Sequence, residues 1–325
     1  MVYQIVLIIA SFILSVISGS IIIPILRRLK VGQIERDDGP ESHLKKQGTP
    51  TMGGIIMAIV TIVLSVVSFF VYRYALPEVA TRILPIVFIT IGFGLIGFID
   101  DFKKLVLKNT KGLRPIFKII GLLIIAVLYT LYLIKYLNIG TDTYIPILKQ
   151  YVTMPIWLYI PFAIFVLLGT TNAVNLTDGV DGLASSVTAL IITCLTIVSI
   201  KLGITEITAI GMILIGTCLG FLVFNLHPAK VFMGDTGSLL LGGAIAGMAL
   251  YLKMPLLLVI IALIPIIETL SVMLQVGWFT LTDKRIFKMA PIHHHFELSG
   301  WKEGKVVSVF CIVTLIVCVL GLLAI

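Results

Sequence analysis

Long apolar runs alternate with short polar segments along almost the whole chain. A helix that crosses a bilayer needs about 20 mostly apolar residues, whereas the strands of an outer-membrane barrel alternate over about 10 residues. The pattern therefore predicts an all-α polytopic membrane protein of one domain, residues 1–325, with about ten transmembrane helices. The predicted spans are 2–26, 51–72, 83–99, 116–137, 156–174, 184–201, 207–226, 238–252, 256–278 and 304–325.

The charged residues give these spans an orientation. Five alternate connections hold 16 of the 24 Lys and Arg residues. They are 27–50, 100–115, 175–183, 227–237 and 279–303. Because cytoplasmic loops of membrane proteins are enriched in Lys and Arg, these connections are predicted to be cytoplasmic and both termini to lie outside. On the outer side, partial alternation within 138–155 favours a small hairpin.

The composition excludes a soluble domain. Of all residues, 59% are hydrophobic and 12% are charged, whereas soluble proteins have about 25% charged residues. The mean hydropathy is +1.14. The net charge of +8 is explained by loop lysines and arginines that orient the spans and by anionic ligands. No nucleic-acid partner is therefore predicted.

One glycine pattern has a familiar form but the wrong setting. Gly92, Gly94 and Gly97 match the G-x-G-x-x-G of dinucleotide-binding proteins, a motif that requires a strand, a tight turn and the start of a helix. Here the three glycines lie within a predicted span, where small residues allow helices to pack closely. We therefore interpret them as packing residues.

Acidic residues are scarce, and a subset lies where predicted spans meet the cytoplasmic side. Asp100 and Asp101 end the third span, Asp178 and Asp181 precede the sixth, and Asp235 precedes the eighth. One such Asp alone is more simply explained as a helix cap. Three groups on one side instead favour a site for Mg²⁺, which binds one or two carboxylates together with substrate phosphate. With lysines on the same side, the pattern predicts phosphoryl transfer between a soluble nucleotide and a lipid.

Three consecutive histidines, His293, His294 and His295, lie in the last cytoplasmic connection. Imidazole suits Zn²⁺, Cu²⁺ or Ni²⁺, whereas the oxygen-rich surroundings suit Mg²⁺, and adjacent side chains point in different directions. We predict that the histidines donate hydrogen bonds to a diphosphate; the alternative is a polar interfacial loop. Glu268, in the ninth span, has two interpretations, a structural hydrogen bond to a neighbouring helix or a functional role.

Five segments together resemble the polyprenyl-phosphate N-acetylhexosamine-1-phosphate transferase family, over essentially the whole chain. They are Gly48–Gly54, Phe98–Phe102, Asn172–Ala184, Asn225–Ser238 and Pro291–Glu297. The resemblance implies transfer of phospho-N-acetylmuramoyl-pentapeptide from UDP-N-acetylmuramoyl-pentapeptide to undecaprenyl phosphate, which gives lipid I and UMP in peptidoglycan biosynthesis. It also implies Mg²⁺ as cofactor, commonly a homodimer, and a multi-pass protein among the lipids of the bacterial cytoplasmic membrane.

The resemblance also implies roles for residues at matching motif positions. Asp100 and Asp101 are implied to be catalytic, and Asp235 to be catalytic and to bind the metal. To these we add His294, from the argument that the histidines face a diphosphate. The residues expected to bind substrate are Lys46, Thr51, Lys118, Asn172, Asn175, Asp178, Asp181, Asn225, Phe232, Gln275, His293 and His295. Among them, Phe232 matches a residue that stacks on uracil.

Two other functions are compatible with parts of this sequence. A transferase for UDP-N-acetylglucosamine has the same chemistry, and release of UMP from that nucleotide alone would favour it; in the family, the triple histidine distinguishes the muramoyl-pentapeptide enzymes from these relatives. A transporter or lipid flippase would place functional polar groups at the membrane midplane and on both sides. Here, apart from Glu268, they cluster on one side.

Overall fold

The computed structural model describes residues 2–29, 48–105, 107 and 112–325, so the predicted substrate-binding residue Lys46 lies outside the described residues. Helices form nearly all of the regular structure. They are α1 (Val2–Arg28), α2 (Gly54–Ala75), α3 (Pro77–Leu105), α4 (Pro115–Lys135), α5 (Ile156–Thr177), α6 (Leu183–Lys201), α7 (Thr205–Asn225), α8 (Gly234–Tyr251), α9 (Leu258–Ile261), α10 (Leu263–Thr282), α11 (Ile292–Glu297) and α12 (Glu303–Leu323).

Nine helices in the described part of the chain are long and apolar enough to cross a membrane, which confirms an all-α polytopic membrane protein. The predicted eighth span corresponds to α8, which has 18 residues. This helix packs against α2, α3, α5 and α6, and all its residues from Thr236 to Tyr251 are buried. It is therefore the central helix of the bundle.

Glycines, which have no side chain, allow α3 and α8 to lie close together. A Cβ atom added at Gly94 would lie 3.1 Å from the Cβ of Leu240. One added at Gly97 would overlap the backbone carbonyl of Asp235. Only glycine fits at such an approach, so the prediction that this glycine motif serves helix packing is confirmed.

The ninth predicted span, 256–278, is not one helix. The chain instead forms a 3-10 turn, Pro255–Leu257, then the single-turn helix α9, and then α10. The break lies at Ala262, whose φ of −99° and ψ of 29° fall outside the helical region. Pro265 explains the break, because a proline ring lacks an N–H and clashes with the carbonyl of the fourth residue before it. That residue is Ile261, the last of α9.

A small hairpin lies at the end of the bundle where α8 finishes. Its strands, β1 (Asp142–Ile145) and β2 (Gln150–Thr153), pair antiparallel, with Asp142 opposite Thr153. Lys253, just after α8, joins the hairpin to the bundle, since its Nζ lies 2.9 Å from Asp142 Oδ2. The predicted hairpin is thus confirmed. It lies at the opposite end of α8 from Asp235.

Candidate functional site

Asp100 and Asp101 lie in the last turns of α3, which continues to Leu105, beyond the predicted end of the span. Both are buried, with 3% and 4% of their surface exposed. Successive residues on a helix point about 100° apart, so these two side chains reach different partners. Asp100 faces lysines, whereas Asp101 faces the start of α8.

Asp101 binds the first turn of α8. Its Oδ2 accepts hydrogen bonds from the backbone N–H of Thr236 at 2.9 Å and from the Thr236 hydroxyl at 2.6 Å. Its Oδ1 accepts the backbone N–H of Asp235 at 3.2 Å. The first N–H groups of a helix have no partner within that helix, and the helix dipole favours a carboxylate there. Asp101 therefore caps α8 from another helix and fixes the backbone of Asp235.

Asp100 and Asp235 share two lysines. Lys104 Nζ lies 2.7 Å from Asp100 Oδ2 and 3.2 Å from Asp235 Oδ2. Lys118 Nζ lies 2.8 Å from Asp235 Oδ2 and 3.6 Å from Asp100 Oδ2. The backbone N–H of Leu113 also donates to Asp100, at 2.7 Å. We call Asp100, Asp235, Lys104 and Lys118 the lysine–aspartate cluster.

The lysine–aspartate cluster offers the donor atoms that Mg²⁺ prefers. Its two carboxylates already converge on the same positive charges. Asp235 Oδ1 is held by the side-chain amide of Asn175 at 2.9 Å, and the same amide donates to Ser238 Oγ at 2.8 Å. Because Mg²⁺ binds carboxylate oxygens and completes its shell with water and phosphate, these residues fit that ion.

A second group in the described residues also has possible metal ligands. Asp181, His227 and Glu303 bring their ligand atoms within 4.8 Å of one another. His227 Nδ1 lies 3.0 Å from Asp181 Oδ2 and 3.4 Å from Glu303 Oε2. The backbone N–H of Ala229 donates to the same Asp181 oxygen at 3.0 Å. These contacts join the turn before α6, the connection before α8 and the start of α12.

Asp178 lies in the turn that follows α5. Burial raises the pKa of Asp178 to about 7, and the negative charges of Asp235 and Asp101 add to this effect. Asn172, two turns earlier along the chain, is exposed on α5. The structure thus brings Asn175 and Asp178 to the start of α8 and leaves Asn172 outside this group.

Three residues expected to contact the nucleoside lie around the connection that precedes α8. The side-chain amide of Asn225 donates to the carbonyl of Val231 at 3.0 Å. The backbone N–H of Phe232 donates to the carbonyl of Pro50 at 2.8 Å. Thr51, which follows Pro50 in the chain, is buried, whereas Phe232 keeps part of its surface exposed. Thr51 and Phe232 are therefore held side by side.

Gln275 and His295 fold the connection between α10 and α11. Gln275 Oε1 accepts the backbone N–H groups of Ile286 and Phe287 at 3.1 and 2.9 Å. His295 Nδ1 accepts the backbone N–H of Lys288 at 3.1 Å. Both side chains, expected to bind substrate, thus shape the loop that carries the histidines.

The three histidines lie on the short helix α11 and contact different groups. His293 is fully buried, and its Nδ1 lies 3.0 Å from Glu268 Oε1 on α10. His294 Nδ1 lies 2.9 Å from Glu297 Oε2. The rings of His293 and His294 touch, with centroids 4.1 Å apart. Only His294 and His295 keep part of their surface exposed.

Lys104, Thr236 and Ser238 belong to this site but are not predicted from the sequence. Lys104 has a usable signal, because it follows Asp100 by four residues, a spacing at which opposite charges pair on a helix. Thr236 and Ser238 have no such signal in the sequence. Their partners Asp101 and Asn175 are 135 and 63 residues away along the chain.

Comparisons with known proteins identify the family. Residues 83–253 match the model of glycosyl transferase family 4. The phospho-N-acetylmuramoyl-pentapeptide-transferase of Acetivibrio thermocellus is 51% identical to this chain, over 97% of this chain and 93% of the relative. Proteins of the same name from Clostridium perfringens and Caldicellulosiruptor bescii are 52% and 48% identical, over 96% and 97% of this chain and 95% of each relative. The chain therefore belongs to glycosyl transferase family 4, among the phospho-N-acetylmuramoyl-pentapeptide-transferases.

Proposed function

We propose that the protein transfers phospho-N-acetylmuramoyl-pentapeptide from UDP-N-acetylmuramoyl-pentapeptide to undecaprenyl phosphate, which gives lipid I and UMP. The names of the relatives support this proposal, as does the position of the lysine–aspartate cluster at one end of a membrane-spanning bundle. The side chains of Lys104, Lys118 and Asp235 are 38%, 22% and 18% exposed. A soluble nucleotide and a membrane lipid can therefore both reach them.

One observation carries the proposal: two ammonium groups lie between the carboxylates of Asp100 and Asp235. The reaction brings together two anions, a lipid phosphate and a diphosphate. Phosphoryl transfer depends mainly on positioning and on positive charge at the transition state. Lys104 and Lys118 supply that charge, and the carboxylates hold it in place until phosphate oxygens replace them.

The aspartates take different roles in this proposal. Asp235 binds Mg²⁺, which when bound neutralises charge on the diphosphate. Asp101 positions Asp235, because its hydrogen bonds go to the first turn of α8. Asp100 accepts any proton that remains on the lipid phosphate. That proton is mostly absent near pH 7, since phosphate monoesters have a second pKa of about 6.

The step that we propose is direct attack. An oxygen of the lipid phosphate forms a bond to the sugar-linked phosphorus, the bond from that phosphorus to the bridging oxygen breaks, and UMP leaves with the bridging oxygen. The alternative is a two-step route, in which an aspartate first attacks this phosphorus and UMP leaves before the lipid reacts. Asp100 is the better nucleophile candidate, because Asp101 is committed to α8.

The remaining predicted residues are proposed to hold the substrate. His294 donates to the phosphates, and His293 and His295 fix its position. The nucleoside and the polar part of the site involve Lys46, Thr51, Asn172, Asn175, Asp178, Asp181, Asn225, Phe232 and Gln275, with Phe232 stacked on uracil. The protein works as a homodimer in the bacterial cytoplasmic membrane, with this end facing the cytoplasm.

The decisive experiment measures UMP released by the purified protein from each UDP-sugar in the presence of polyprenyl phosphate. We expect release from UDP-N-acetylmuramoyl-pentapeptide. Asp235→Ala nearly abolishes it, whereas Asp142→Ala, in the hairpin at the other end of α8, is the matched control and retains it. Release from UDP-N-acetylglucosamine alone would overturn the proposal.

Two further measurements test the metal and the step. Protein stripped of metal should regain activity with Mg²⁺ or Mn²⁺. A requirement for Zn²⁺ that disappears when His293–His295 are replaced would contradict the assignment to Asp235. Direct attack predicts no burst of UMP when protein and UDP-sugar are mixed without lipid. A stoichiometric burst, with labelled sugar phosphate retained on Asp100, would establish the two-step route instead.

A further inference from the structure

Glu268 is a fully buried carboxylate within the membrane-spanning helix α10. An ionisable group at this depth is costly and usually faces the bundle interior or a partner. Among the described residues, its only ion-pair partner is His293, whose Nδ1 lies 3.0 Å from Glu268 Oε1. Neither side chain makes a hydrogen bond to any described group: Nδ1 and Oε1 lie 3.0 Å apart without hydrogen-bond geometry, so both oxygens of Glu268 and both nitrogens of His293 lack a hydrogen-bond partner. Glu268 and His293 thus form a buried pair with no other polar support in this part of the chain.

His293 connects three parts of the site. Its Nδ1 faces Glu268 on α10. Its Nε2 abuts Gly179, where an added Cβ atom would overlap the ring, and Gly179 directly follows Asp178. The ring also contacts that of His294, with 4.1 Å between the centroids. A displacement of His293 would therefore move both His294 and the turn that carries Asp178.

We propose that Glu268 is a positioning residue for the reaction. Its Oε1 lies 3.0 Å from Nδ1 of His293, and a carboxylate beside an imidazole nitrogen favours a proton on that nitrogen and thereby orients the ring. The oriented His293 ring in turn sets His294 against the phosphates. This inference rests on the proposed function, because Glu268 acts on turnover only through the histidines, and that function assigns His294 to the substrate phosphates. It unites the two interpretations of Glu268: its contact is structural, but the partner belongs to the site.

The first test replaces the carboxylate. Glu268→Leu is close in size but has no acceptor, and we expect it to lower kcat by roughly 10- to 100-fold, the scale for losing an orienting partner. KM for the UDP-sugar should change less than kcat, since Thr51, Asn225 and Phe232 lie around the connection before α8. Glu268→Gln keeps an acceptor oxygen and should retain most of the turnover. Wild-type kcat in Glu268→Leu would overturn the proposal.

The matched control is another buried carboxylate, Glu206, which is 5% exposed. It accepts a hydrogen bond from the Tyr251 hydroxyl at 2.6 Å, at the end of α8 remote from Asp235. Glu206→Leu creates a comparable loss in the core but should leave turnover per folded molecule unchanged. An equal fall in kcat for Glu206→Leu and Glu268→Leu would show a general packing effect and overturn the positioning role.

A double variant separates positioning from stability. Glu268→Leu alone leaves His293 buried without its partner, whereas Glu268→Leu combined with His293→Phe replaces the pair by apolar groups, which often restores stability. We expect the double variant to regain Tm but to turn over no faster than His293→Phe alone. Recovery of turnover together with Tm would indicate a purely structural pair. A loss equal to the product of the two single losses would show that Glu268 acts independently of His293.

The wild-type protein keeps the two proposals distinguishable. Absence of UMP release by wild type would refute the proposed function itself. If wild type releases UMP but the variants do not differ in kcat and Tm in the way set out above, only the role of Glu268 is refuted.

Discussion

Replacing Thr236 by valine tests how firmly Asp101 anchors α8. The Thr236 hydroxyl donates to Asp101 at 2.6 Å, the shortest of the three hydrogen bonds on this carboxylate. Valine keeps the shape of threonine and removes the donor alone. Because Asp101 is only 4% exposed, a water molecule has little access to replace the lost hydroxyl donor.

The expected cost follows from what is lost and what remains. A hydrogen bond to a charged group contributes about 1.5–3 kcal/mol. The two backbone hydrogen bonds to Asp101, at 2.9 and 3.2 Å, stay in place, so the start of α8 holds. We therefore expect Thr236→Val to lower the free energy of unfolding by about 2 kcal/mol, or roughly 4 °C in Tm. Turnover should fall as well, because Asp235 is the preceding residue.

Thr130→Val is the control for the same substitution. Thr130 is 1% exposed, and its hydroxyl donates to the carbonyl of Ala126 at 2.8 Å within α4. That carbonyl also accepts a backbone hydrogen bond within the helix. Loss of the Thr130 hydroxyl should therefore cost less than about 1 kcal/mol. The assays are thermal unfolding and UMP release of detergent-solubilised protein. Equal shifts in Tm for both variants would refute a special anchoring role for Thr236.

Three other predictions address charge, the histidines and orientation. Lys118→Met should lower UMP release by roughly 10²–10³, the scale for losing one charge-stabilising donor, while Lys135→Met, at the far end of α4, should leave it unchanged; equal effects would contradict the cluster. His294→Ala should lower turnover by a similar factor, roughly 10²–10³, with the same metal requirement, and a changed requirement would contradict its assignment. In a background without the native cysteines, a cysteine at Lys149 should react with an impermeant reagent added to intact cells and one at Lys284 should not. The reverse pattern would place the site outside.

Apart from the broken ninth span, the helices are predictable from the sequence, because each apolar run is long enough to require a membrane-spanning helix, but their ends at the site are not. Hydropathy predicts a span over 83–99, whereas α3 runs from Pro77 to Leu105. Polar residues continue it because Asp100 and Lys104 pair four residues apart on its surface. Hydropathy alone assigns such residues to a loop.

The contacts within the site depend on packing between distant segments. The motifs place Asp100, Asp101 and Asp235 on one side of the membrane. Which of them caps α8 depends on a contact across 135 residues, from Asp101 to Thr236, and no local pattern records it. Likewise, Glu268 is recognisable as an unusual charge within a span, but its partner follows only from the way α11 packs under α10.

The central position of α8 has a mechanical consequence. Its residues from Thr236 to Tyr251 are enclosed by protein, whereas helices such as α1 present large apolar side chains at the surface. When a bilayer thickens or thins, peripheral helices adapt by tilting, and the helices packed around α8 separate its body, Thr236–Tyr251, from that movement. Catalysis should consequently respond to which lipid phosphate arrives, and hardly to the acyl-chain length of the membrane in which the protein floats.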